Sequence, residues 1–256
     1  MPAPHNAFKQ ALGQQSKLIG CWLGFADSYA AEMMGTAGFD WLVIDGEHGP
    51  NDIRSIRDQL IALESSASHP VVRLPMDEVW MIKQALDIGA QTLLIPMVET
   101  AEQAAQIVAA MRYAPEGIRG MGGALARATK YSQIKDYVTT ASDQLALIVQ
   151  VETAKGIENL AEIAAIDGVD GVFIGPADLS ADMGFPGNAK APEVVEAIAH
   201  AAEVINASGK SAGILAIEDA TAQRYMDMGY TFVAVGIDLV MLMNAARAKA
   251  QQWKDG

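Results

Sequence analysis

Along the whole chain a short apolar run is followed by a longer amphipathic stretch and then by another short run. No other feature limits the fold so tightly. The runs are Leu18–Leu23, Trp41–Asp45, Val71–Leu74, Thr92–Pro96, Leu145–Val151, Gly171–Gly175, Ala212–Leu215 and Phe232–Gly236. They are near-continuous rather than alternating, as expected of parallel strands covered by helices on one side and filled on the other. Between them, Ile53–Leu63, Val79–Ile88, Ala101–Met111, Ile157–Ile166, Glu193–Ala207, Asp219–Met228 and Val240–Trp253 carry apolar residues three and four apart, which predicts helices with one buried face. Ala30–Thr36 reads as a shorter helix. Asn51 is the expected N-cap of the second helix. Gly38, Gly89, Gly168, Gly209 and Gly229 stand where helices should end. Strict alternation of this kind predicts an α/β fold, a single closed (β/α)8 barrel. An open doubly wound sheet alternates in the same way, but no Gly-x-Gly-x-x-Gly opens the first helix. The stretch Tyr113–Ser142 reads as a rim loop with short helical pieces. No domain boundary appears across residues 1–256.

Composition agrees with one barrel. The chain has 256 residues, about the usual barrel length, and 51% are apolar, enough for a large core without disulfides. The one cysteine, Cys21, has no partner in the chain, and the expected compartment is the cytoplasm. No apolar stretch approaches the ~18 residues of a membrane span, and Met1–Gln15 lacks the charged-then-apolar order of a secretory signal. A net charge of −13 repels phosphate backbones, so no nucleic-acid partner is expected. It leaves room for an anionic substrate, because an arginine and a metal ion can reverse the field inside a cleft.

In a barrel the reactive groups sit where strands end and βα loops begin. At those ends lie Asp45-Gly46-Glu47-His48-Gly49, Arg73, Gln150-Val151-Glu152-Thr153 and Gly175-Pro176-Ala177-Asp178. Glu152 and Asp178 are carboxylates on adjacent strands. They repel one another unless a positive group lies between them, and a hard divalent ion fits. Alternatively each caps its following helix or pairs with a lysine such as Lys155. His48 is the one histidine at the reactive end, three residues after Asp45, and suits a general base. It reads equally as a loop histidine bonded to backbone. Arg73, in an apolar barrel, needs an anion. That anion is either a substrate or a structural partner, Asp45 or Asp87. Backbone N–H groups after Gly175 can hold a carboxylate, although Gly-Pro alone signals only a turn. Schiff-base chemistry needs a lysine in a dry barrel interior. No lysine falls within a predicted strand; Lys17 and Lys210 lie at the opposite rim, and only Lys130, in the rim loop, stays open. Electrophilic help from a metal is the better reading.

Asp45-Gly-Glu-His48-Gly-Pro-Asn, Val72-Arg73-Leu-Pro, Leu94-Ile-Pro-Met-Val, Gly117-Ile-Arg-Gly, Gln150-Val-Glu152-Thr and Gly171-Val-Phe-Ile-Gly-Pro-Ala-Asp178-Leu-Ser resemble the HpcH/HpaI aldolase family from about Gly20 to Gly236. These are class II pyruvate aldolases, among them 4-hydroxy-2-oxoheptanedioate and 2-keto-3-deoxy sugar acid aldolases. The resemblance implies reversible aldol addition between a 2-oxo acid, pyruvate or hydroxypyruvate, and an aldehyde. The enolate is held by a divalent metal (Mg2+, Mn2+ or Co2+). It implies Glu152 and Asp178 as metal ligands, His48 supported by Asp45 as the proton carrier, and Arg73 at the C2 oxygen. Gln150 and the backbone around Gly175 and Ala177 would orient the oxo acid, and Trp22 lines the site. Asp87 matches an acid that can act from a neighbouring subunit. Ala124–Thr129 and Ile214–Ile217, with Leu215, are where substrate preference would differ. A homohexamer is expected, with the C-terminal helix, about 239–253, at a subunit interface. Two alternatives stand beside this reading. A citramalyl- or malyl-thioester lyase would want a basic patch for coenzyme A phosphates, which the acidic chain lacks. A non-catalytic oxo-acid binding barrel would need the metal and Arg73 but not His48.

Overall fold

A computed structural model describes residues 1–254; Asp255 and Gly256 lie outside the described residues. Eight parallel strands close in sequence order into one barrel. They are β1 (Leu18–Leu23), β2 (Trp41–Asp45), β3 (His69–Arg73), β4 (Thr92–Ile95), β5 (Ala146–Val151), β6 (Gly171–Ile174), β7 (Ser211–Leu215) and β8 (Phe232–Ile237). Closure excludes the open doubly wound sheet. Around the barrel run α2 (Ser28–Met34), α3 (Ile53–Ala62), α4 (Val79–Asp87), α5 (Ala101–Met111), α6 (Tyr137–Gln144), α7 (Ala154–Glu158), α8 (Leu160–Ala164), α9 (Pro176–Asp182), α10 (Pro192–Ala207), α11 (Asp219–Asp227) and α12 (Asp238–Lys254), after an N-terminal α1 (Ala7–Gly13). The five glycines expected at helix ends all adopt positive φ.

Two apolar layers hold this together. The outer one packs strand residues such as Ile44, Val72, Leu93 and Ile174 against Ile82, Ile107, Ile163 and Ile198 of the helices. The inner one fills the barrel with Trp22, Trp41, Val43, Val71, Ile148, Phe173 and Phe232. Trp41, Phe173 and Phe232 meet edge-on or tilted with centroids 5.7–6.4 Å apart. Rings of that size fit only because small residues face them: a Cβ at Gly213 would lie 2.2 Å from the Phe232 ring, and one at Gly20 would lie 2.2 Å from Trp41. Helix α1 stoppers the end where the strands begin, with Phe8 and Leu12 buried in the inner layer.

Several local expectations differ from the structure. Nothing in the apolar pattern predicted α1, because seven residues with two buried positions are too short to show a period. The helix expected over 157–166 is two short helices, α7 and α8, separated at Asn159, whose side chain donates to the Glu99 carbonyl. The N-cap of α3 is Asp52, which accepts from the backbone of Arg54 and Ser55. Asn51 instead donates to the Asp45 carbonyl at 2.8 Å and accepts from Ser55 and Gln59, tying the loop after β2 to its strand. The long stretch after α5 contains a 3-10 turn, Arg127–Thr129, and α6.

The inner layer makes one sharp prediction. Gly213→Ala forces a methyl group into the Phe232 ring and should destabilise the fold by about 1–3 kcal/mol, as overpacking does. Urea unfolding monitored by tryptophan fluorescence measures it, and an unchanged midpoint would show that the interior is looser than described.

Candidate active site

Parallel strands all deliver their C-terminal ends to the same rim, so the polar residues that close β2, β3, β5 and β6 meet there. They surround a cavity of about 370 Å3 lined by Trp22, Asp45, His48, Arg73, Gln150, Glu152, Gly175, Ala177, Asp178 and Leu215, among others. Every individual site residue expected from the sequence therefore reaches this cavity except Asp87, and the Ala124–Thr129 segment, expected to set substrate preference, instead contributes Arg127 and Ala128 to a cleft at the opposite rim.

Asp45 and Arg73 are register partners across β2 and β3. The Arg73 guanidinium donates to both Asp45 oxygens, from Nε at 2.9 Å and Nη2 at 2.8 Å. Of the structural partners open to Arg73, the structure selects Asp45; Asp87 pairs with Arg119 at 2.6 Å. The Trp22 ring lies under the guanidinium, 4.3 Å from centroid to Cζ. Trp22 thus supports Arg73 as well as lining the cavity. Burial alone would raise the Asp45 carboxyl, but the Arg73 hydrogen bond and charge outweigh it and hold it below the usual carboxylate range. Asp45 also accepts from the backbone N–H of Glu47 and of His48. Its support of His48 is therefore through the backbone. The imidazole itself is exposed at the cavity lip.

Glu152 is buried at the end of β5. Its oxygens accept from the Met97 N–H at 2.9 Å and from Gln150 Nε2 at 2.5 Å. Met97 makes its contact with φ at +56°, a strained region for a non-glycine residue. Neither alternative reading of Glu152 matches: Thr153 caps α7, and Lys155 pairs with Glu99 at 2.9 Å. Burial, with the nearby charges of Asp178 and Glu47, lifts the Glu152 carboxyl to about 7 against the pull of its two donors. Gly175 makes the approach of β6 possible, since a Cβ there would lie 2.3 Å from Glu152 Oε2. Asp178 stands exposed in the first turn of α9. Gln150 Oε1 is buried without a hydrogen-bond partner beside Glu152.

A divalent ion fits this donor set. Asp45, Glu47, Glu152 and Asp178 are four carboxylates against the single guanidinium of Arg73. Like charges in that excess are eased by a further cation. Hard oxygen donors suit Mg2+, Mn2+ or a similar ion, with water and substrate completing the shell. Among the described residues no set of three or more His, Cys, Asp or Glu converges as a ready-made cage.

Three residues with a place at this end were given no site role from the sequence. Glu47 approaches Arg73 Nη1 at 2.6 Å. Asn51 anchors the His48 loop. Asp238 accepts from the backbone N–H of Gly24 at 2.8 Å and of Leu239 at 2.7 Å, joining two segments of the cavity wall. Glu47 was visible in the Asp-Gly-Glu-His run; Asp238 carries no local signal. Asp87 lies at the C-terminal end of α4, hence at the opposite rim. Lys130, the lysine left open for Schiff-base chemistry, pairs with Glu64 far from the cavity.

A second cleft, of about 600 Å3, opens at that opposite rim around Phe8, His69, Arg127 and Lys130. Its cations are already paired with Glu64. Burial holds the His69 imidazole down at about 4, so it is neutral there, bonded to Thr92. Its two acids are already held, Asp40 by the Ile19 N–H and Glu64 by Arg127 and Lys130.

Comparison with known proteins agrees with this geometry. The family model described as HpcH/HpaI aldolase/citrate lyase matches residues 18–245. A hydroxypyruvate/pyruvate aldolase of Roseovarius nubinhibens is 61% identical over 254 residues, covering 99% of both chains. A 4-hydroxy-2-oxo-heptane-1,7-dioate aldolase of Salmonella dublin is 53% identical over 248 residues, covering 97% of this chain and 94% of that protein. The crystal structure of an HpcH/HpaI aldolase/citrate lyase family protein from Burkholderia cenocepacia J2315 superposes with a TM-score of 0.94 at 41% identity, covering 97% of this chain and 99% of that one. With the family model spanning the whole barrel and its acids gathered at one rim, this chain belongs to the HpcH/HpaI aldolase/citrate lyase family.

Proposed function

We propose that the protein is a class II aldolase that joins and cleaves a C–C bond between a 2-oxo acid, pyruvate or hydroxypyruvate, and an aldehyde. The observation that carries this reading is the carboxylate excess at the cavity, which Glu152 and Asp178 line together with the Arg73 guanidinium and the His48 imidazole. The names of the relatives support the donor class.

Glu152 and Asp178 would hold the divalent ion, Mg2+, Mn2+ or Co2+. Bound there, it supplies the positive charge that makes the C3 hydrogen of the oxo acid acidic. Arg73 faces the C2 oxygen and stabilises negative charge as it develops. His48, exposed at the lip, takes the C3 proton, or in cleavage the proton of the C4 hydroxyl. Asp45 serves both by fixing the Arg73 edge and the His48 backbone. Gln150, with its unpartnered oxygen, orients the donor. Its carboxylate meets the N–H groups of Ala177 and Asp178 in the first turn after Gly175. Trp22 and Leu215 form the apolar wall that limits what the donor carries on C3.

The chain is proposed to work as a homohexamer in the cytoplasm. From Met241 to Lys254 every residue of α12 is exposed, including Leu242 and Met243, an apolar surface suited to another copy. Asp87, at the far rim, would then serve a neighbouring subunit's site. Among the described residues no helix is long and apolar enough to cross a membrane.

Three measurements test this. His48→Ala should keep Mn2+ binding while lowering deuterium exchange at C3 of pyruvate by about 10²- to 10⁴-fold, whereas Glu152→Ala should lose the metal first. Full-speed turnover by metal-stripped protein, or borohydride trapping of pyruvate on a lysine, would end the reading. Because the Glu152 carboxyl sits at about 7, a proton competes with the ion at lower pH. Calorimetric Mn2+ affinity should weaken by up to about tenfold per pH unit below that value and level off above it. A flat profile from pH 6 to 8 would remove Glu152 from the ligand set. Finally, light scattering should find a hexamer that Leu242→Glu with Met243→Glu breaks into smaller species; an unaffected assembly would move the interface elsewhere.

A further inference from the structure

We infer that Glu47 is a positioning residue: it holds the Nη1 end of Arg73 and so sets the direction in which that guanidinium meets the donor's oxygen. The inference rests on the reading of Arg73 given above.

A guanidinium offers five N–H donors in one rigid plane. Asp45 takes two of them on the Nε–Nη2 edge, at 2.9 and 2.8 Å. A pair gripped by one edge still pivots about it. Two further contacts stop the pivot. The Trp22 ring supports the plane from one face. The Glu47 carboxylate reaches Nη1, with Oε2 at 2.6 Å. Asp45 thus takes two of the five donors by hydrogen bond, while Glu47 holds the Nη1 end by charge.

The placement of Glu47 separates this role from the others an acid could have here. Glu47 does not line the cavity that Arg73, His48, Glu152 and Asp178 share. Its close contact is Arg73 Nη1, at 2.6 Å, which favours a positioning role over a substrate contact or a ligand role. Its Oε2 is buried and lacks the alignment of a hydrogen bond. Charge attraction is what keeps it there, and an acid so placed costs free energy unless it faces a cation. It also belongs to the same loop as His48, whose backbone Asp45 holds. Asp45, from the strand end, and Glu47, from the loop, therefore grip Arg73 from two independent directions.

The test uses the full chain loaded with Mn2+, with pyruvate C3 deuterium exchange and the Mn2+ isotherm measured on the same samples. Glu47→Gln keeps the shape and removes the charge. Misplacing a group by about 1 Å costs on the order of 10²-fold, so kcat should fall by about 10- to 100-fold with KM and Mn2+ affinity little changed. Glu47→Asp, which keeps the charge one methylene short, should recover part of that loss. Unchanged kcat in the Gln variant would overturn the inference. So would a loss of Mn2+ affinity large enough to explain the rate, or an Asp variant no faster than the Gln variant. Arg73→Lys is run in parallel. If it is fully active, the role of Arg73 itself is wrong; if it is inactive while Glu47→Gln is not, only the role of Glu47 is wrong.

Discussion

The buried pair between Asp45 and Arg73 is the joint on which the reactive end depends. It spans neighbouring strands at matched register, so the barrel's own hydrogen bonding delivers the two groups face to face. Asp45 then has lone pairs to spare, and these receive the backbone of the loop that carries His48. One carboxylate thus sets the arginine and the histidine loop together. A charged pair at this depth adds little net stability by itself, because desolvation cancels most of the attraction. Its value lies in geometry. The guanidinium is held by its edge and its face before any substrate arrives, the condition for stabilising charge without reorganising at the moment of reaction.

That preorganisation leaves an electrostatic debt on the other side of the cavity. Arg73 is largely neutralised by Asp45 and Glu47, so it does little for Glu152 and Asp178. Glu152 responds as a buried acid must, with its carboxyl near neutrality at about 7 despite two hydrogen-bond donors. The two halves of the site therefore divide the work. The β2–β3 side brings its own cation and is complete within the chain. The β5–β6 side has no cation of its own paired with Glu152 or Asp178 among the described residues. A divalent ion held by Glu152 and Asp178 would supply the positive charge that this side lacks.

Much of this was legible in the residues, and the parts that were not share a physical reason. Near-continuous runs such as Trp41–Asp45 and Phe232–Gly236 announce parallel strands because both of their faces are buried. The polar residue at the end of each run then falls at the reactive rim by topology alone, so His48, Arg73, Glu152 and Asp178 could be gathered before any coordinates. What stayed hidden was set by contacts distant in sequence. Helix α1 owes its stability to the barrel floor into which Phe8 and Leu12 insert, and not to a period of its own. Asn51 looked like a cap, but the Asp45 carbonyl competed for its side chain and Asp52 took the cap instead. Whether Arg73 met Asp45 or Asp87 turned on which end of α4 carries Asp87. Helices run against the strands in such a barrel, so the end of α4 belongs to the other rim.

Cavity size is a poor guide to chemistry in this molecule. The cleft at the far rim, about 600 Å3, exceeds the one at the reactive rim, about 370 Å3. Yet its Glu64 is paired with Arg127 and Lys130, and its His69 is neutral and bonded to a threonine. The smaller cavity is the one where polar groups are left incomplete: Gln150 with a bare oxygen, Glu152 with a carboxyl lifted by burial to about 7, Asp178 with no partner among the described residues. Burying such groups costs folding free energy. A barrel whose interior is otherwise filled by Trp41, Phe173 and Phe232 can carry that cost at one end, because the other end is sealed by α1 and contributes packing alone. The stable floor is what allows the unsatisfied mouth.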